Sequence, residues 1–148
     1  MTTKQQLLQV CNERVDKRIN DYKEEINLIK ESIESNDKGD SDEDDAGNGK
    51  LQNDLEKNLE HLNDAQKTKE YLKQIKTNIN FETAVLGSLV KTETMNFYLS
   101  TGIGKIVLDN VDYYAISLSS PIAQLLKNKT KNDRFEFNQT KYVIIDII

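Results

Sequence analysis

Histidine, cysteine and proline each occur once in this chain, as His61, Cys11 and Pro121, and tryptophan is absent. A single thiol excludes an internal disulfide and any zinc site built on cysteines. Cys11 falls in an apolar helical row and reads as a buried seam thiol rather than a nucleophile. The lone histidine adjoins a seam residue, Leu62, and reads as an ordinary surface residue. No Cys–His pair, G-x-S-x-G turn or phosphate-cradling glycine loop is present. Gly102 and Gly104 form only a G-x-G suited to a tight turn, and Ser117, Ser119 and Ser120 lack a base. A self-contained enzyme is therefore not expected. No basic arm or stripe appears, so direct nucleic-acid binding by charge is not expected either. No apolar run approaches the ~20 residues of a membrane span. The opening MTTKQQLLQV lacks an export signal's apolar core, and the expectation is a cytoplasmic protein.

What the chain does have is charge, unevenly placed. Residues 1–80 hold 18 acids and 13 bases, whereas residues 81–148 hold seven of each. The formal charge of −5 belongs to the first half, and the stretch Asp37–Asp45, with six acids and one base, equals it alone.

The first segment reads as one helix over residues 3–36, free of glycine and proline. Its seam is Leu8, Cys11, Val15, Ile19, Tyr22, Ile26, Ile29 and Ile33, in steps of three and four. A second helix is expected from Lys50 to Asn78, with a seam of Leu51, Leu55, Leu59, Leu62, Ala65, Lys69, Leu72, Ile75 and Ile79. Each arm of ~29 residues would be ~43 Å long. Neither apolar stripe can stay exposed, and two matched arms joined by a polar, glycine-bearing loop fit an antiparallel coiled-coil hairpin. A parallel homodimer through the first helix is the competing arrangement; the hairpin, as a monomer, is preferred. Residues 1–79 then form the hairpin, with an acidic tip loop at 36–49.

From Phe81 the rhythm changes to short runs rich in Val, Ile, Tyr and Phe. Strands are expected at Leu89–Thr92, Asn96–Leu99, Lys105–Leu108, Tyr113–Ser117, Phe135–Phe137 and Tyr142–Ile147. Turns are expected at Gly102–Gly104, Asp109–Asn110 and Asn138–Gln139. Ser120 as N-cap and Pro121 at the first helical position start a short helix bearing Ile122, Leu125 and Leu126. The closing YVIIDII reads as a strand buried on both faces. Residues 80–148 thus form a small domain, and the fold class is α+β.

The acidic stretch SNDKGDSDEDDAGNGK, residues 35–50, fails as an EF-hand in every register. Starting at Asp40 puts Asp45 at position 6 and Leu51 at position 12; starting at Asp42 puts Ala46 at position 5 and Asn53 at position 12. What remains is a cluster of hard oxygen donors without a preformed cage. It suits weak Mg²⁺ binding, or completion of a metal site elsewhere. A solvated loop is the plain alternative.

Over nearly its full length the chain resembles the bacterial GreA/GreB transcription elongation and transcript-cleavage factors. VLGSLVK, residues 85–91, is similar to that family's G-S-x-V strand opening. YYAISLSSPIAQLL, residues 113–126, resembles its I-S-x-x-S-P-hydrophobic-x-x-x-L segment. NKTKND, residues 128–133, stands where the family has G-K-x-x-G-D, with Asn128 and Asn132 in place of both glycines. Asn is the residue that best tolerates the left-handed backbone such turns need. In the tip, Gly39, Asp40 and Glu43 match the family's G-D-x-x-E, but Asp44, Asp45, Ala46 and Gly47 replace its Asn-Ala-Glu-Tyr.

The resemblance implies an antiparallel coiled coil followed by a small FKBP-like domain, an antiparallel β-sheet with one short helix. It also implies an accessory role, in which the protein binds RNA polymerase at its secondary channel and delivers tip carboxylates to the active centre. There Asp40 and Glu43, with Asp42, Asp44 and Asp45 as alternates, would share a Mg²⁺ ion with the polymerase and promote cleavage of backtracked RNA. Nascent RNA would be met only indirectly, and no cofactor would be held by the protein alone. Two alternatives stay open. One is a non-cleaving or inhibitory Gre-like regulator; the other, of a different class, is a coiled-coil scaffold or adaptor. A prolyl isomerase is disfavoured, because its deep aromatic pocket has no counterpart in this half.

Overall fold

The computed structural model describes residues 1–37 and 44–148, without the side chains of 37 and 44–47. Its elements are α1 (Thr3–Asp37), α2 (Asp44–Lys73), β1 (Leu89–Thr92), β2 (Asn96–Ser100), β3 (Gly104–Leu108), β4 (Val111–Ser117), α3 (Pro121–Leu126), β5 (Arg134–Phe137) and β6 (Thr140–Ile147). The expected architecture, a long helical hairpin and then a small β domain with one short helix, is present. The chain divides into two compact units, one of Val15–Glu70 and one of Met1–Arg14 with Tyr71–Ile148.

In the β unit all six expected strands form, each within two residues of its expected ends. They make one sheet in the order β3-β4-β2-β1-β6-β5. Four pairings are antiparallel, while β2 runs parallel to β4, with Phe97 opposite Tyr114 and Ser100 opposite Ser117. The chain leaves β2, crosses to β3 at the sheet edge, and returns as β4 between the two. Asp109 and Asn110 close that return with φ of 50° and 65°. Short polar residues tolerate this left-handed pair, and its twist matches the strands it joins.

Period-two alternation sends each strand's residues to two faces. One face carries Val90, Phe97, Leu99, Ile144 and Ile147, packed with Phe135 and Tyr142 against Ala123 and Leu126 of α3. Phe135 and Tyr142 stack at 4.9 Å, and Tyr142 meets Phe97 edge-on at 6.0 Å. The start of α3 is as expected, with Ser120 Oγ accepting from the Ala123 N–H and Pro121 opening the helix.

The other face carries Leu89, Tyr98, Ser100, Ile106, Tyr113 and Ala115, with Leu89 opposite Tyr98 and Ile106 opposite Tyr113. It is covered by the first turns of α1. Leu7 and Cys11 are fully buried, and Cys11 Sγ lies 3.8 Å from Ser100 Oγ. The seam therefore begins at Leu7 rather than at the expected Leu8, which is half-buried. Steps of four from Leu7 to Cys11 to Val15 remove the early irregularity in the row. Arg14 donates from Nη1 to the Lys105 carbonyl at 3.0 Å, occupying one backbone acceptor of edge strand β3.

Other expectations need correction. β6 is not buried on both faces: Tyr142, Ile144 and Ile147 are buried, but Ile145 is 49% exposed. Helix α2 begins at Asp44 rather than Lys50 and ends at Lys73 rather than Asn78. The expected tip loop at 36–49 therefore loses its last six residues to the helix. Beyond α2, Gly87 has φ of +87°. A Cβ there would meet Ile75 Cγ2 at 3.2 Å, so the chain passes Ile75 with only a hydrogen at that position.

Two outcomes follow from this packing. Gln139, at φ 67° in the β5–β6 turn, has neither glycine's freedom nor asparagine's tolerance. Gln139→Gly should raise unfolding stability by ~1 kcal/mol, read as a higher midpoint in urea with an unchanged slope. Burial raises the Cys11 thiol above its usual pKa, so a maleimide at neutral pH should label the native protein slowly. Labelling should become fast only in denaturant.

Candidate functional site

The second unit is an antiparallel helix pair held by contacts in one register. Lys69 Nζ sits 2.9 Å from Asp16 Oδ1, the rings of Tyr22 and His61 stack at 5.5 Å, and Asn36 Nδ2 donates to Asn48 Oδ1 at 3.2 Å. Each step toward the end of α1 is matched by a step back along α2. The stripe of α1 is therefore covered by α2 of the same chain, with Val15, Ile26, Ile29 and Ala65 buried between them.

Lys69, the polar break in the expected second seam, is explained by its ion pair with Asp16. Its ammonium reaches across to α1 while its side chain stays mostly covered. Toward the end of α1 the seam thins. Ile33 and Leu55 are half-buried, and Leu59, expected in the seam, is 45% exposed.

Asp40, Asp42 and Glu43 lie outside the described residues. Asp44 and Asp45 stand at the start of α2, with side chains that are likewise outside the description. By element order the first three belong to the link between the helices, and the other two to the first turn of α2. Acidic residues are favoured in a first turn, because the helix dipole leaves partial positive charge there. The distinction separates two groups that the sequence alone left in one acidic run.

No cluster of three or more histidine, cysteine or acidic residues suited to a metal occurs among the described residues. The other candidate chemical groups have structural occupations. His61 is taken up by its ring stack with Tyr22. Ser120 caps α3, and Ser117 and Ser119 hydroxyls lie 3.0 Å apart. Asn128 and Asn132 have φ of 64° and 76°, the left-handed geometry expected where they replace glycine. Just after them Asp133 accepts from the Thr130 N–H and hydroxyl, which holds its carboxyl below the usual range.

Sequence reasoning did not single out Lys4 or Tyr98. Lys4 is buried, donating from Nζ to the Ile79 carbonyl at 2.6 Å and lying 4.9 Å from the centre of the Phe81 ring. The signal available was a lysine one turn before Leu7 and Leu8, on the buried side of the helix. Tyr98 is fully buried and its hydroxyl has no hydrogen-bond partner among the described residues. Burial pushes its phenol far above the usual value.

No protein-family model and no curated protein matches the chain. Solved structures do. The likeness is to Gfh1. One match, described as the structure of the transcription factor Gfh1, has a TM-score of 0.38 and 17% identity over 92% of each chain. GreA factor homolog 1 (Gfh1) of Thermus thermophilus aligns with a TM-score of 0.36 and 15% identity, over 93% of this chain and 94% of that one. Thermus aquaticus Gfh1 aligns with a TM-score of 0.33 and 18% identity, over 91% and 92%. These neighbours are a GreA homolog rather than GreA or GreB, and a likeness of this size carries no argument about chemistry.

Burial lowers the pKa of Lys4 from the 10.5 of a free lysine. The unfolded chain then binds more protons than the folded one between the lowered value and 10.5, so stability rises with pH across that window. Urea titrations of wild type and Lys4→Met at pH 7 and near pH 10 should show the difference moving in favour of the wild type as pH rises.

Proposed function

We propose that this chain is a Gre-like factor that binds RNA polymerase at the secondary channel and stimulates cleavage of backtracked RNA. The observation that carries the reading is the hairpin register. The pairs Asp16–Lys69, Tyr22–His61 and Asn36–Asn48 bring the end of α1 beside the start of α2, and in the sequence Asp40, Asp42 and Glu43 fall between those two ends. Strand β1 and helix α3, which carry the G-S-x-V-like and S-P-like segments, stand in one sheet domain as that family's pattern requires.

A helix of 30 residues, as α2 is, spans ~45 Å, enough to carry a short acidic link well into a channel. The carboxylates fit Mg²⁺ by donor type, being hard oxygen ligands, and their number without a cage fits an ion shared with a second protein. When bound, such an ion would lower the pKa of a water for attack on the RNA phosphodiester. Asp40 and Glu43 would each present a carboxylate oxygen to it; Asp42, Asp44 and Asp45 are the alternates. Helical placement of Asp44 and Asp45 favours Asp40 and Glu43 within that set. The protein is accessory in this reading, since the reaction is completed in the polymerase active centre. We further take it to act as a cytoplasmic monomer.

A backtracked elongation complex tests the proposal. Wild type should shorten the nascent RNA in a Mg²⁺-dependent way. Asp40→Ala/Glu43→Ala should bind equally well and cleave at least ~10–100-fold more slowly. Slowed elongation without cleavage by the wild type would assign it to the inhibitory branch. Absence of polymerase binding would overturn both branches and leave the scaffold reading.

A further inference from the structure

Where the seam thins, the two helices leave a groove of about 680 Å³ on one side of the hairpin. Its walls run from Asn27 to Glu34 on α1 and from Gln52 to Leu59 on α2. Each wall is two helical turns, ~10 Å, long. Ile33, Leu55 and Leu59 supply the apolar surface. Glu31, Glu34 and Glu56 line it against a single base, Lys30. All four charged groups are exposed, and no ion pair among the described residues engages them.

A packed two-helix seam would close over leucines at these positions; here Leu59 stays 45% exposed. An apolar strip flanked by carboxylates is the complement of an amphipathic helix with basic flanks. Two turns of wall match anchors at i, i+3 or i+4, and i+7 of such a helix. An acidic or neutral helix would bury the same apolar area while leaving three like charges beside it.

We propose that this groove binds two turns of a basic amphipathic helix supplied by a partner protein. The guest helix lies between α1 and α2, with apolar residues on Ile33, Leu55 and Leu59 and Lys or Arg reaching Glu31, Glu34 and Glu56. This site is separate from the acidic link and does not depend on the polymerase reading.

Two designed helical peptides with one shared leucine face, flanked by Lys in one and Glu in the other, are titrated by fluorescence anisotropy against the full chain. The Lys peptide should bind at least tenfold tighter and weaken as salt is raised. Glu31→Lys/Glu34→Lys/Glu56→Lys should reverse that preference with the helical circular dichroism unchanged. Leu59→Ser should weaken both peptides without altering their ratio. Neutralising the link, with Asp40→Asn, Asp42→Asn and Glu43→Gln, should leave the Lys peptide's affinity within about twofold. Equal binding of the two peptides would overturn the proposal, as would loss of the preference only in the link variant. Concentration-dependent self-association that Leu59→Ser abolishes would also overturn it, because the occupant would then be a second copy.

Discussion

Burial of the first turns of α1 against the sheet is the interaction on which the rest of the β unit depends. One face of the sheet has its own cover in α3, but that helix has only six residues. The opposite face exposes Leu89, Tyr98, Ile106 and Ala115 unless something lies on it. Leu7 and Cys11, 0% exposed, provide that cover, and a leucine this buried is typically worth ~2–5 kcal/mol when cut back to alanine. Lys4 and Arg14 add polar ties on either side, to the Ile79 and Lys105 carbonyls. A domain of about 65 residues is marginal by itself. The N-terminal segment completes it.

Much of the fold was legible because local signals agreed. The six strands have β-branched and aromatic runs cut by Asp-Asn, Gly-x-Gly and Asn-Gln turns. Ser120 and Pro121 state the helix start in both capping and ring geometry. The misreadings have physical causes. Leu7 and Leu8 are adjacent apolar residues, and only the sheet face decides which of them points inward. The parallel β2–β4 pair is set by a crossover, which no local pattern announces. Asp44 to Gly49 look like a loop by composition, yet they form the opening turns of α2. Ile145 looked buried because it sits among apolar neighbours, but alternation turns it outward.

The candidate site was legible as composition and less so as structure. Acid content, Gly-Asp spacing and flanking seams marked residues 37–45. The division between link and first helical turn came from the helix boundary at Asp44. The groove was not legible, because Leu55 and Leu59 keep perfect seam spacing. Spacing reports which side of a helix is apolar, whereas exposure reports whether a neighbour covers it. Between residues 27 and 34 of α1 the neighbour does so incompletely.

The discontinuity of the β unit bears on the order of folding. Its contacts join Cys11 to Ser100 across 89 residues, with all of Val15–Glu70 looped out between the two parts. Closing a flexible loop of ~56 residues costs on the order of 4 kcal/mol in chain entropy before any contact repays it. Helices form within about a microsecond, and their pairing needs only the short link to turn back. Zipping of α1 onto α2 therefore converts a long-range search into a local one. The sheet's second face is then closed by a segment delivered to it rather than found by diffusion.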